Sequence, residues 1–229
     1  MRRILAPLIF GLVGCAILMS LGFWQLQRLS WKQDMLARIE ARIHDAPIAL
    51  PATAGPEAKY TPVTMTGTTG DELLVLSGQK GIGAGYEVIT AFTTDDGRRI
   101  LLDRGFFAEP QGQQGWQVRH PPSRLSVLGH LHWPEETGSS TPPPDAKRNL
   151  WFARDVPAMA AALNTEPVMV VAARIDGDTQ GVTPQPISIA GIPNDHLGYA
   201  IQWFAMAAVW AGMTAFLIWR ITRRNTKGA

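Results

Sequence analysis

Cysteine is almost absent from this sequence, because Cys15 is the only one among 229 residues. One cysteine cannot form a disulfide within its own chain, so a disulfide-based fold is excluded. The sequence also has no Cys-x-x-Cys pair, which argues against a thiol–disulfide enzyme and against a copper carrier with cysteine ligands.

Common catalytic motifs are also missing, since neither Gly-x-Ser-x-Gly nor His-Glu-x-x-His occurs. The segment "SGQKGIGAGYE" at 77–87 contains Gly-x-Gly-x-Gly, but it lacks the Gly-Lys-Ser/Thr ending of a phosphate-binding loop. It also leads into a strand pattern, so we predict a hairpin loop. The net charge of +2 is too small to indicate nucleic-acid binding. The sequence therefore predicts neither an enzyme nor a nucleic-acid-binding protein.

Charged residues are missing from two long runs, 4–27 and 197–219. At about 1.5 Å per helical residue, each run is long enough to cross a hydrocarbon core of about 30 Å. We therefore predict two transmembrane helices that flank a water-soluble middle. Because basic residues prefer the cytoplasmic side, both termini should be cytoplasmic and the middle should lie outside. The basic residues at the two ends are Arg2, Arg3, Arg220, Arg223, Arg224 and Lys227.

The first apolar run has a second interpretation. The motif "LVGC", which ends at Cys15, resembles a bacterial lipoprotein signal. A mature lipoprotein should begin with polar residues, whereas "AILMSLGFWQL" follows here. We therefore expect the first transmembrane helix to remain part of the protein.

The middle of the chain reads as one helical segment followed by strands. Residues 28–44 carry apolar residues at helical spacing, so the first helix is expected to continue beyond the membrane. Short β-branched runs between 60 and 175 predict an antiparallel sheet or a small barrel. One helix is predicted at "DVPAMAAALN", with Asp155 as its cap and Pro157 in its first turn. Residues 132–149 predict a long exposed loop.

Four histidines and one charged pair in the middle segment are candidate sites. His130 and His132 would share one face of a strand and could form half of a metal site, although a hydrogen-bonded or solvated pair is favoured. His44 and His120 are predicted to be surface residues. Asp103 and Arg104 follow the apolar run "ILL". We expect them to form a local ion pair or a turn, with partner binding as the alternative.

His196 lies where the second apolar run begins. Pro193, Asn194 and Asp195 form a helix-start signal, which places His196 in the first turn. There the helix dipole favours a neutral imidazole, the form that can bind a metal. Helical spacing places Tyr199, Trp203 and Trp210 near the same helix face as the imidazole. Such an aromatic face beside a metal-binding imidazole would suit a planar apolar macrocycle. The alternative is a hydrated histidine within an ordinary interfacial aromatic belt.

The outer end of the first run has matching residues. Trp24 and Arg28 are four positions apart, and Gln25 lies beside them. Gly22 would let another helix approach closely, so we expect the two membrane helices to pack here. Arg28 is expected to meet Asp195 or a carboxylate of a ligand.

Four segments together resemble one family, the Surfeit locus protein 1 or Shy-type assembly factors of cytochrome c oxidase. "GFWQLQRLSWKQDML" at 22–36 follows the family pattern G-x-W-Q-x-x-R-x-x-x-K-x-x-L. The others are "ILLDRGFF" at 100–107, "LWFARDVPAMA" at 150–160 and "NDHLGYAIQWFAMA" at 194–207. After Gly105 the chain departs from the family, because Pro110 comes later than the family's proline.

The resemblance implies a bacterial-type assembly factor of the inner membrane, with a periplasmic middle domain. It implies haem a binding with His196 as the axial ligand. Beside this ligand, we expect Tyr199, Trp203, Trp24, Gln25 and Arg28 to contact the haem by stacking or pairing. The implied partners are oxidase subunit I, a haem a synthase and membrane lipid. The alternative is a scaffold that docks oxidase subunits without a cofactor.

The expected organisation is a cytoplasmic N-terminus at 1–4, transmembrane helix 1 at 5–27, a helical extension at 28–45, a β-rich periplasmic domain at 46–193, transmembrane helix 2 at 194–219, and a basic cytoplasmic tail at 220–229.

Overall fold

The computed structural model describes residues 2–109, 115 and 118–226. Pro110 and Lys227, which figured in the sequence analysis, lie outside these residues. The chain divides into two compact units, which are described separately. One unit combines Met1–Arg38 with Ile189–Ala229, and the other is Ile39–Ser188.

The first unit is a pair of long helices. Helix α1 covers Arg2–Ile43 without interruption, and helix α3 covers His196–Thr226. Both are long and apolar enough to cross a membrane, and their apolar side chains are largely exposed. Because such exposed apolar surface is stable in lipid, the two helices confirm the predicted class of membrane protein.

Glycines of α1 allow α3 to pack closely against it. Gly11 lies beneath Thr214, Gly14 beneath the indole of Trp210, and Gly22 beneath Phe204. A Cβ added at Gly22 would lie 2.5 Å from the Phe204 ring. Since lipid gives helices no hydrophobic reason to associate, this close packing is what holds them together. The prediction that Gly22 permits close approach is confirmed.

The central unit contains seven described strands and one α-helix. Helix α2, at Val156–Leu163, starts as predicted, because Asp155 accepts a 3.1 Å hydrogen bond from the Ala158 amide and Pro157 lies in the first turn. The strands are β1 (Ile48–Ala49), β2 (Pro62–Gln79), β3 (Gly83–Thr94), β4 (Arg99–Ala108), β5 (Arg124–Leu131), β6 (Leu150–Trp151) and β7 (Met169–Asp176).

Five of these strands close into a small barrel. The pairings run β2–β3–β4–β7–β5 and return from β5 to β2. They are antiparallel except for β4 with β7, and the short strands β1 and β6 add parallel pairs to β2. The sequence predicted either an antiparallel sheet or a small barrel, and the structure shows a mainly antiparallel sheet that closes as a small barrel. The glycine-rich segment at 77–87 is a β2–β3 hairpin, as expected.

Strand β2 differs from its sequence prediction. Two of the β-branched runs, "YTPVTMTGT" at 60–68 and "ELLVLSG" at 72–78, predicted separate strands with Thr69, Gly70 and Asp71 between them. The structure joins them into one strand whose pairing with β3 is irregular between Thr69 and Glu72. A bulge therefore replaces the expected turn and bends β2, so that its two halves can pair with β5 and β3.

Two apolar clusters of the core pack on opposite faces of β4. One fills the barrel with residues such as Phe92, Ile100 and Leu102, all fully buried. The other lies outside the barrel wall, where Leu101 of β4 packs with Met159 of α2. Strand alternation explains the division, because neighbouring side chains of β4 point to opposite faces.

Asp103 and Arg104 are both buried and do not pair with each other, so the predicted local ion pair is wrong. Asp103 binds Arg154 at 2.9 Å and accepts a local hydrogen bond from the Gly105 amide. Arg104 donates to the Thr179 carbonyl at 2.8 Å. The alternation of side chains along β4 turns these neighbours in opposite directions.

Arg154 also lies against two glutamates. It contacts Glu87 at 3.4 Å and forms a short ion pair with Glu136. Burial, followed by repulsion from Asp103, raises the pKa of Glu87. Burial alone would also raise the pKa of Glu136, but hydrogen bonds from Arg154 outweigh it and hold this pKa below its ordinary value.

Glu87→Gln and Glu136→Gln should therefore change stability in opposite directions. Above its folded pKa, ionised Glu87 destabilises the fold; this penalty disappears below the ordinary value of 4.5, where both states are protonated. At pH 7, Glu87→Gln should have a higher thermal unfolding midpoint than wild type. This difference should disappear below pH 4.5. Glu136→Gln should lower the midpoint at pH 7, since an ion pair is lost, and this deficit should shrink as acid protonates wild-type Glu136.

Thermal unfolding of the full chain in detergent, followed by near-ultraviolet circular dichroism between about pH 3 and pH 7 (a range that reaches below the ordinary carboxyl pKa values), measures both effects. Equal losses of stability at pH 7 in the two variants would contradict the assignment.

Candidate functional site

The two membrane helices place His196 against Gln25. The imidazole Nδ1 lies 2.8 Å from the Gln25 Oε1, although the residues are 171 positions apart. Gln25 comes from α1, close to the contact of Gly22 with Phe204, and His196 opens α3. The close helix packing therefore brings the two polar side chains within hydrogen-bonding distance.

This hydrogen bond determines which imidazole nitrogen is free. An amide oxygen can only accept, so Nδ1 donates and carries the proton of the neutral ring. Nε2 then keeps its lone pair, and within the described ranges it has no protein partner. Metal-binding histidines are commonly oriented in this way by a hydrogen bond at the other nitrogen. The geometry makes His196 suitable as a metal ligand through Nε2.

Aromatic side chains lie on the same helices as this pair. Tyr199 is 52% exposed and Trp24 is 51% exposed, so both present ring surface outward. Trp203 is half-buried, one heptad after His196. Trp210, two heptads after His196, packs on Gly14 between the helices. Tyr199, Trp24 and Trp203 are the aromatic residues available to a ligand at His196.

Arg28 does not pair with Asp195 as the sequence suggested. Its guanidinium lies 4.6 Å from the centroid of the Trp31 ring, in a cation–π contact. Among the described residues, neither Arg28 nor Asp195 forms an ion pair. The cation that meets the start of α3 is Lys32, which donates to the carbonyl of Pro193. No sequence signal singled out Lys32 for this contact.

His120 is buried, so the prediction of a surface residue is wrong. Its Nδ1 lies 2.9 Å from Glu72, and its ring meets the Phe107 ring edge to face. Pro121 and Pro122 follow it and suggested an exposed loop. The partner, Glu72, is 48 positions away on the bulged strand β2, and no local sequence signal marks the pair. His44 is exposed, as predicted.

His130 and His132 have different partners. The His130 Nε2 lies 3.0 Å from the carbonyl of Ile43, in the last turn of α1. His132 packs against the Tyr60 ring, and burial, followed by the charges of Lys59 and Arg154, lowers its pKa to about 4. In the part of the chain that is described, no cluster of three His, Cys, Asp or Glu could hold a metal ion. His130 is therefore held by a hydrogen bond to the backbone, and His132 is stacked on a neighbouring aromatic ring.

These elements define a membrane protein with a β-barrel domain inserted between two transmembrane helices. The sequence profile of the SURF1 family matches residues 12–208. The chain belongs to the SURF1 family, as the sequence motifs suggested.

Curated relatives agree with this family membership. A SURF1-like protein of Rickettsia felis is 31% identical, over 93% of this chain and 95% of its own length. Surfeit locus protein 1 of Rattus norvegicus is 30% identical, over 91% of this chain and 73% of its own length. The similarity to these proteins therefore extends over both helices and the barrel.

The Gln25 hydrogen bond should control the imidazole tautomer. In Gln25→Leu the acceptor is lost, so the neutral ring of His196 should populate the Nε2–H tautomer that the wild type suppresses. Nitrogen-15 spectra of histidine-labelled protein in lipid nanodiscs measure this, with the His196 signal assigned by its loss in His196→Ala.

Gln202→Leu is the matched control, because Gln202 is an exposed glutamine on α3 without a hydrogen bond to His196. It should leave the tautomer unchanged. An unchanged tautomer in Gln25→Leu would show that Gln25 does not orient the ring.

Proposed function

We propose that this protein is an assembly factor for cytochrome c oxidase that binds haem a transiently and aids its insertion into subunit I. The observation that carries the proposal is the hydrogen bond between His196 and Gln25, which leaves Nε2 available for iron. The assembly role itself is what the family resemblance implies.

A haem suits this site better than a bare metal ion. His196 is one ligand, and a bare ion would need several protein ligands in a defined geometry. Haem iron brings four nitrogens of its own ring and needs only an axial ligand from the protein. When bound, the haem would supply an iron centre that accepts the imidazole. The donor set present here therefore fits a haem.

The exposed aromatic surface supports transient binding. We assign ring stacking to Tyr199, Trp24 and Trp203, which provide apolar contact beside the imidazole. Arg28 lies on Trp31 without a carboxylate partner, and we assign it to pairing with a haem propionate. One axial ligand and an open flank make a site from which the haem can leave.

The proposed location follows from the charge distribution. Basic residues at both ends of the chain favour the cytoplasmic side of a bacterial inner membrane, so the barrel would be periplasmic. His196 would then lie at the outer interface of the membrane. The proposed partners are oxidase subunit I, a haem a synthase and the surrounding lipid. The role is non-enzymatic.

The test is an absorption spectrum of the full-length protein purified from cells that make haem a. Wild type should carry haem a, and His196→Ala should lose it, because the axial ligand is gone. Gln25→Leu should weaken binding about 10–100-fold, as is typical when a group that orients a metal ligand is removed. His44→Ala is the matched control, since His44 is an exposed histidine bonded within its own helical turn.

Near-ultraviolet circular dichroism establishes that each variant is folded. If His196→Ala keeps the same haem spectrum, the site lies elsewhere, with His130 and His132 the next residues to change. If folded wild type carries no haem despite an adequate supply, a scaffold without a cofactor replaces the carrier.

A further inference from the structure

An apolar groove runs along one flank of the helix pair, within the membrane-spanning part. It encloses about 550 Å³ and is lined almost wholly by carbon and sulfur atoms. Its walls include Ile17, Leu18, Ala205, Met206, Val209 and Met213. Neither His196 nor Arg28 is among the residues that line it.

The groove is aligned with the haem site. On α3, Tyr199, Met206 and Met213 follow one another at seven-residue intervals, which places them on one helix flank. On α1, Trp24 and Ile17 are also seven residues apart. In both helices the groove residues lie two turns, or about 10 Å, deeper than the aromatic residues. The groove therefore continues the exposed flank of Trp24 and Tyr199 into the membrane.

We propose that this groove holds the isoprenoid tail of haem a. The inference rests on the proposed function, since it requires the ring to bind at His196. From Ala205 to Met213 the groove extends about 12 Å along α3, which is long enough to hold much of an extended farnesyl chain. A ring stacked beside Tyr199 would place the start of its tail at the groove's outer end.

Tethering favours the tail over a lipid chain. Inside a bilayer both are equally apolar, so the hydrophobic effect does not choose between them, and packing and entropy decide. A tail whose ring is held at His196 is already confined near the groove, so ordering it costs less entropy than ordering a free acyl chain. The groove would thereby distinguish haems with a tail from haems without one.

Haem o and haem b test this inference, because the hydroxyethylfarnesyl group is their only difference. Each is titrated into the full-length protein in lipid nanodiscs, and binding is followed by the Soret band. Wild type should bind haem o about tenfold more tightly than haem b. Ala205→Phe, which fills the groove, should remove that preference by weakening haem o alone. Val209→Phe should act in the same way.

Ala208→Phe is the matched control. Ala208 is also exposed on α3 but does not line the groove, so the same substitution there should leave both affinities unchanged.

The outcomes separate this inference from the proposed function. If both haems bind with equal affinity and His196→Ala abolishes both, the carrier stands and the tail assignment is wrong. If Ala205→Phe weakens both haems equally, the substitution disturbs the ring site and the assignment is also wrong. If wild type binds neither haem, the proposed function and the inference fall together.

Discussion

The close approach of α1 and α3 is the constraint on which the candidate site depends. Gly11, Gly14 and Gly22 leave room for side chains of the opposite helix, and a Cβ at any of them would lie too close to those side chains. At the present separation of the helices, Gln25 reaches His196. The chemistry of one imidazole is thus set by the absence of side chains elsewhere on the neighbouring helix.

Much of the fold could be predicted because its signals are local. The two apolar runs, the capped helix α2 and the β2–β3 hairpin each follow from residues within one short segment. Long-range pairs were missed for the corresponding reason. Glu72 with His120, and Asp103 with Arg154, are brought together by the tertiary fold, which local periodicity does not contain.

The candidate site was predicted only in part. His196, Gln25 and the aromatic residues were singled out from residue type and helical spacing. Their bond was not, because it depends on how one helix is aligned along the other. The alignment also explains why Arg28 meets Trp31 and why Lys32, four residues later, reaches Pro193. Helix periodicity fixes which residues share a face, but it does not fix what lies opposite that face.

The closed ring of strands has a consequence for recognition. A sheet with a long free edge can bind a partner by adding one of its strands. Here, within the described residues, the ring of pairings closes from β5 back to β2, and the outlying strands β1 and β6 have two residues each. Where a strand already has a neighbour on each side, as Leu101–Asp103 of β4 has, no backbone edge is left for an added strand. A protein that docks on this closed part would have to be recognised through side chains, so its contact surface could change by point substitution while the barrel pairing stays intact.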